Sequence, residues 1–398
     1  MLPLTSHARP SLLRRLNEQS ILRELQARGP LSRADLTRLT GISGPTVTRA
    51  ILALLEARLV EEEEVKQGLV GRPGKIVRLA RSGVTLVGVV IGSRVCEVVR
   101  ANLEGQLDLD SLHTIPTPAD YRDLIEAIAE PIRTWQATLE ADILGVGVSL
   151  PGLFDTRSER SITSPNVPQT NGQLVGDDLR AALNGLLDVT ILQECDGLGL
   201  AEQLYGEARG ERDFAILDIS EGMGLGVVER GHLLEGHSGL AGEIGHITVR
   251  LDGRRCGCGN HGCLETEATD SALLAIVAQR LAATQPELLP AEPLTMHWLR
   301  KAVEAGTVDV TAELVPLIQY LGVALAAVIN IFNPKRLFVY GLCFDLRPGL
   351  FDDVLAETSR RALAPSLRDC TIVRARGNKQ LGAIAAAIHP LTQRHKPT

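Results

Sequence analysis

Apolar residues Leu12, Leu13, Leu16, Ile21, Leu22 and Leu25 recur at roughly helical spacing through Ser11–Arg28, and Gly29-Pro30 ends the run. Ser32 is placed to cap a short second helix, Arg33–Thr40, with Leu36 and Leu39 turned inward. Gly41 supplies a tight turn and Ile42 a core plug. Ser43 then caps a third helix. Pro45 sits near its first turn, where a missing N–H costs nothing, and Val47, Ile51, Leu54 and Leu55 form the buried stripe. Helix, glycine turn, helix is the helix-turn-helix pattern. Leu59–Val65 and Ile76–Ala80 read as two strands joined by Lys66–Lys75, a wing behind the third helix.

From Val84 the pattern changes. Leu86–Gly105 reads as two apolar strands and a turn, and a similar stretch runs from Phe214 to Gly231. Gly92 and Gly222 correspond at an offset of 130 residues. Two halves that each open with strand, glycine turn, strand predict a duplicated α/β body of two lobes with ligands at the strand ends. Helices are expected over Tyr121–Leu139, Ser271–Ala283 and Leu314–Phe332. The last is uncharged and long enough to cross a bilayer, but it holds Pro316, Gln319 and Asn330. It is read as a core helix, and the N-terminus has no signal-peptide pattern, so a cytoplasmic protein without membrane contact is expected.

Charge divides the chain at the same place. Residues 1–82 hold 14 of the 41 Lys and Arg but 8 of the 48 Asp and Glu, a local +6, while the rest is −13. A basic head on an acidic body predicts a nucleic-acid-binding module at 1–82 and a different domain at 83–398. Only 3% of residues are aromatic, which argues against stacking on single strands. The third helix should enter the major groove of duplex DNA by its N-terminal end, presenting Ser43, Gly44, Thr46, Thr48 and Arg49. Arg72 at the wing tip, with Lys75 beside it, suits a narrow minor groove. The run Glu61–Glu64 would repel phosphate if it faced DNA, so it is expected to face elsewhere.

The strongest chemical signal is Gly242-Glu-Ile-Gly-His246 followed by Cys256-Gly-Cys-Gly-Asn-His-Gly-Cys263. Three thiols and an imidazole make a closed tetrahedral zinc site, structural because no coordination position stays open. Spacing leaves His246 and His261 both available as the fourth ligand. Asn166, Asp196, Glu243 and Glu265 are polar residues set against apolar runs. Converging, they would suit the vicinal hydroxyls of a sugar.

Together these residues resemble the ROK family, whose sugar kinases and repressors share an actin-like ATPase fold. The repressor branch, with its xylose- and N-acetylglucosamine-responsive members, adds an N-terminal winged helix-turn-helix. The resemblance is carried by Gly29-Pro-Leu-Ser-Arg-Ala-Asp-Leu36, Thr40–Thr48, Gly71-Arg-Pro73, Ala241–His246 and Cys256–Glu265. It implies zinc on His246, Cys256, Cys258 and Cys263, and sugar contacts from Asn166, Asp196, Glu243, His246 and Glu265. Cys195 stands where the family usually has Asn, which changes one sugar contact.

The departures favour a regulator over an enzyme. Val90 replaces the aspartate of the first phosphate loop, Ser220-Glu221-Gly222 replaces Gly-Thr-Gly, and Gly341-Leu342 replaces paired glycines. A carboxylate near a γ-phosphate costs about 1–4 kcal/mol at about 4 Å, and phosphoryl transfer needs metal, cradle and hydroxyl together. The expectation is a repressor that binds operator DNA as a homodimer or homotetramer and is released by a sugar or sugar phosphate. The alternatives are a sugar kinase with a regulatory head, and a regulator controlled by a protein partner.

Overall fold

The computed structural model describes residues 10–65, 74–375 and 378–392. The head comprises α1 (Pro10–Arg28), β1 (Leu31–Ser32), α2 (Arg33–Thr40), α3 (Gly44–Glu56), β2 (Val60–Val65) and β3 (Gly74–Leu79). Ser32 caps α2 as expected, its Oγ accepting from the Asp35 amide at 3.1 Å. Ser43 precedes α3 but does not cap it with its side chain. Pro45 offers no N–H and the Thr46 amide bonds the Ser43 carbonyl, so the Ser43 hydroxyl turns to Thr46 Oγ1 at 3.0 Å. The wing is a three-stranded sheet of order β1-β3-β2. Of its expected tip, residues 71–73 with Arg72 lie outside the described residues, while Gly74 and Lys75 belong to β3.

The body continues with β4 (Val84–Ile91), β5 (Val95–Ala101), β6 (Leu107–Pro116), α4 (Tyr121–Thr138), β7 (Asp142–Leu150), β8 (Leu153–Asp155), β9 (Arg160–Thr163), α5 (Val175–Ala182), β10 (Val189–Gln193) and α6 (Glu194–Tyr205). The second half holds β11 (Phe214–Asp218), β12 (Gly224–Glu229), β13 (His232–Leu233), α7 (Asp270–Thr284), α8 (Met296–Glu304), α9 (Thr311–Phe332), β14 (Arg336–Tyr340), α10 (Leu350–Ser359), α11 (Ala364–Asp369) and β15 (Thr371–Arg374). The final helix is α12 (Lys379–Thr392).

The duplication read from the two strand–glycine–strand openings is present in the topology. One sheet has the order β10-β7-β4-β5-β6 and the other β13-β12-β11-β14-β15. In each, the first strand pairs antiparallel with the second and parallel with the fourth. The long apolar segment is α9, whose Leu314, Leu317, Leu321, Leu325, Val328 and Ile329 are buried in the core beneath the second sheet.

Contacts divide the chain into two compact units. One is Met1–Phe154 with Ser158–Gly210 and Asn378–Thr398; the other is Asp155–Arg157 with Glu211–Gly377. The change of character at residue 82 falls between β3 and β4, yet one hydrophobic cluster runs across it. Ile21, Leu25, Leu36 and Ile51 of the head pack in the same core as Leu86, Leu103, Ile384 and Ile388. Helix α12 returns to the first sheet and lies flush on β7. A Cβ at Gly147 would stand 1.9 Å from the Ala383 carbonyl oxygen, so no larger residue fits there.

Candidate metal centre and DNA interface

Gly41 ends α2, its amide reaching the Thr37 carbonyl at 3.1 Å, and α3 starts three residues later. Val47, Ala50, Ile51 and Leu54 bury one face of α3. Ser43, Gly44 and Arg49 are exposed on the opposite side, and Thr46 and Thr48 are half-buried. Arg49 and Thr46 face Arg14 and Asn17 of α1 across a groove. Three carboxylates of the acidic strand β2 are paired with cations. Glu61 accepts from Arg78 at 2.7 Å, Glu62 binds Arg33 at 2.6 Å and Lys75 at 3.2 Å, and Glu63 binds Arg78 at 3.0 Å. Arg33 and Lys75 hold the Glu62 carboxyl below its ordinary range despite the opposing effect of burial. Lys75 is therefore engaged within the wing, though more than half exposed.

The second unit assembles the thiol–histidine cluster. His246 closes a 3-10 turn, Ile244–His246, and Cys263 precedes another, Leu264–Thr266. Between them the chain doubles back, with bridges Thr248↔Cys263 and Arg255↔His261. Gly262 makes the return possible. Its φ is +66°, and a Cβ there would lie 1.6 Å from the Arg250 carbonyl oxygen. One ligand atom each from His246, Cys256, Cys258 and Cys263 lies within 4.8 Å of the other three. The structure brings His246 and not His261 into the cluster, and His261 is exposed.

Two separations within the cluster match those expected around a tetrahedral zinc ion. Metal–ligand distances of about 2.3 Å to sulfur and about 2.05 Å to nitrogen imply S···S near ~3.8 Å and S···N near ~3.6 Å. Cys258 Sγ and Cys263 Sγ are 3.7 Å apart, and Cys256 Sγ lies 3.6 Å from His246 Nδ1. Burial, reinforced by the Glu265 carboxylate, pushes the Cys256 thiol well up, and burial also raises Cys263. The Asn260 backbone amide lowers Cys258. A divalent cation held by these four residues would supply what the buried thiols need to ionise.

Two expected sugar residues stand on this cluster. Glu265 Oε1 accepts from the Cys256 thiol at 2.8 Å and lies 3.6 Å from His246 Nδ1, while Glu243 Oε2 lies 3.7 Å from Nε2. The imidazole thus turns one nitrogen to the thiols and the other to Glu243. Asn166 and Asp196 belong to the other unit. Asn166 is exposed in the segment between β9 and the 3-10 turn Pro168–Thr170. Asp196 is half-buried in the first turn of α6, where Lys379 of α12 holds its neighbour Glu194 at 2.9 Å.

Among the buried carboxylates of the second unit that sequence reasoning missed, Asp270 bears most on the loops around Glu221 and Leu342. Asp270 is 4% exposed and accepts from the amides of Leu342 at 2.7 Å and Cys343 at 2.8 Å. Its own amide bonds the Ile219 carbonyl at 2.8 Å. The first residue of α7 therefore ties the β11–β12 turn, which carries Glu221, to the loop that carries Leu342. Burial raises its carboxyl to about 6. A hint existed in Thr269, whose hydroxyl caps α7 at the Ala272 amide, but nothing local marks Asp270 as buried.

A family model described as the ROK family matches residues 86–391, most of the chain. The chain belongs to the ROK family. A second model, described as the MarR family, matches residues 16–68 of the head. The xylose repressor of Bacillus spizizenii is 26% identical over 356 residues, covering 88% of each chain. The DNA-binding transcriptional repressor Mlc of Escherichia coli is 27% identical over 380 residues, covering 94% of this chain and 92% of that one. The dual regulator NagC of the same organism is 28% identical over 336 residues, covering 83% and 81%. Among solved structures, a ROK family transcriptional regulator described as a homologue of Mlc aligns with a TM-score of 0.79 at 25% identity, over 94% of this chain and 95% of that one. A ROK glucokinase from Streptomyces griseus shares the body fold at a TM-score of 0.66 and 24% identity, over 76% of this chain and 98% of its own. The actin-like body behind a helix-turn-helix head is thus the architecture of this ROK chain.

Proposed function

We propose that this chain is a sugar-responsive transcriptional repressor, holding operator DNA with its head and releasing it when a sugar or sugar phosphate binds its body. The observation that carries the reading is one chain combining a MarR-type head, with the N-terminal face of α3 open to solvent, and a ROK body. Residues 1–82 are the DNA-binding domain and 83–398 the sensing domain. Ser43, Thr46, Thr48 and Arg49 meet base edges and phosphates in the major groove, and Arg72 and Lys75 serve the wing. Lys75 must exchange Glu62 for phosphate to do so, which weakens its contribution.

The effector contacts are Asn166, Asp196, Glu243, His246 and Glu265, as the family resemblance suggests. Zinc on His246, Cys256, Cys258 and Cys263 is structural and fixes the segment that bears Glu243 and Glu265. The repressor acts as a homodimer or homotetramer in the cytoplasm. Val90 is buried in β4 with no charge to offer a metal–nucleotide complex, and Glu221 and an exposed Leu342 occupy the other nucleotide positions. These residues support a regulator without kinase activity.

The test is thermal unfolding of the zinc-loaded protein against neutral sugars and sugar phosphates, D-xylose and N-acetylglucosamine among them. A true effector at about 100 times its dissociation constant adds about 2.7 kcal/mol to the domain that binds it. Asp196→Ala should remove the shift and leave DNA binding intact. No shift with any sugar, while DNA selected from a random pool still binds, would transfer the control to a protein partner. ADP release dependent on sugar would instead make the chain a kinase.

A further inference from the structure

Helices α6 and α12 cross within the first unit at a point where glycine faces glycine. A Cβ added at Gly382 would stand 3.0 Å from the Gly197 carbonyl carbon and 3.2 Å from the Leu198 amide nitrogen. Asp196 immediately precedes this contact. Lys379 adds the 2.9 Å bond to Glu194 one turn away, so the start of α6 and the start of α12 are held together by charge and by backbone proximity.

Both helices end against α1. Gln19 Nε2 donates to the Pro390 carbonyl at 3.3 Å. Arg23 donates Nε and Nη2 to the Thr392 carbonyl at 3.2 and 3.1 Å. Beyond the C-terminus of α6, Arg209 Nε donates to the Gln26 carbonyl at 2.7 Å. Ile21, Leu22 and Leu25 of α1 share one core with Ile384 and Ile388 of α12, with Leu204 and Tyr205 of α6 packed on it. The same core contains Val47, Ile51 and Leu54 of α3. A contiguous path of packed groups therefore leads from the first turn of α6 to the helix expected to read DNA.

The seam is lined on α12 largely by small residues. Gly382, Ala383, Ala385, Ala386 and Ala387 are all buried on α12, so few large side chains interdigitate across it. Among the described residues, the amide of Gln26 (1% exposed) has neither Nε2 nor Oε1 bonded to protein, and the buried Tyr205 hydroxyl has no protein partner either. Buried polar groups are normally satisfied, and leaving them unpaired lowers the advantage of this arrangement over a neighbouring one.

We propose that α6 and α12 form a relay that couples occupancy at Asp196 to the seating of α1, and through α1 to α3. The ligand at its input rests on the sugar reading given above. The relay itself is a property of this one unit and needs no sugar to be tested. Coupling is reciprocal, so a change at either end must be felt at the other.

The test is amide hydrogen exchange on the full chain, wild type against Gly382→Ala and Arg209→Ala. Gly382→Ala forces the α6–α12 contact apart and should change exchange in residues 22–28 of α1 by threefold or more, with α9 unchanged. Arg209 is exposed, so Arg209→Ala should fold normally, and it should change exchange in residues 198–202 of α6. Wild-type exchange in α1 for a folded Gly382→Ala protein would overturn the relay. Should that variant not fold, Arg209→Ala decides alone, and unchanged residues 198–202 overturn it. D-xylose, N-acetylglucosamine and its 6-phosphate are then added to wild type. A sugar that protects residues 198–202 and also alters α1 supports the relay; one that protects only residues 198–202 refutes it. If none of these sugars alters residues 198–202, the effector assignment fails, and the two variants have already decided the relay.

Discussion

Asp270 offers a quantitative check on the second unit. Its carboxyl is raised from 3.8 to about 6 because burial opposes ionisation more strongly than the Leu342 and Cys343 amides favour it. The folded state therefore binds a proton more tightly than the unfolded state between these values. Linkage makes stability fall as pH rises through this window and level off above about 6. A rise of this size corresponds to about 3 kcal/mol over the whole range. Between pH 5 and pH 7 alone the linkage relation puts the loss at about 1 kcal/mol. Asp270→Asn removes the titration, so the stability difference between wild type and variant should change by that amount, wild type losing ground as pH rises. Urea unfolding in a Trp135→Phe background leaves Trp298 of α8 as the only tryptophan, reporting on the second unit. A difference that stays constant from pH 5 to pH 7 would refute the assignment of a raised carboxyl. A difference of the opposite sign would mean that the two backbone amides outweigh burial.

Further outcomes follow from the same geometry. Gly262→Ala should prevent zinc loading, measured as metal per chain, because the Cβ meets the Arg250 carbonyl oxygen and the left-handed backbone disfavours alanine; a full zinc complement would show that the loop adapts. Arg49→Ala should weaken binding to selected DNA by tenfold or more, about 1.4 kcal/mol, and reduce the salt slope by about 1 if the contact is to phosphate; an unchanged slope with lost base preference would place it on a base edge. Gln26→Met replaces an amide without protein partners by an apolar side chain of similar length, and should stabilise the first unit by about 1 kcal/mol in thermal unfolding. Destabilisation there would mean that the Gln26 amide is satisfied by water.

The sequence by itself determined the elements whose instructions are local. Ser32, Gly41 and the stripe Val47–Ile51–Leu54 define the helix-turn-helix within a short stretch, because capping, turn formation and helical periodicity are short-range effects. The duplicated strand openings were legible for the same reason. So was the thiol–histidine cluster that could hold a metal ion, since three of its four members fall within Cys256–Cys263. Spacing alone did not choose between His246 and His261, because that choice depends on which way the chain doubles back around Gly262.

Tertiary structure alone decided the rest. The raised carboxyl of Asp270 is held by a loop 72 residues away, and no pattern near Asp270 encodes its burial. The acidic run of β2 looked adverse to DNA until Arg33 and Arg78 were seen to match it. The return of α12 to the first sheet, and its contact with α1 across 369 to 371 residues of sequence, is invisible in any local window. Burial and long-range pairing depend on which distant surfaces meet. For that reason the sequence named the parts of this ROK chain, and only the fold showed how head, α6 and α12 are joined.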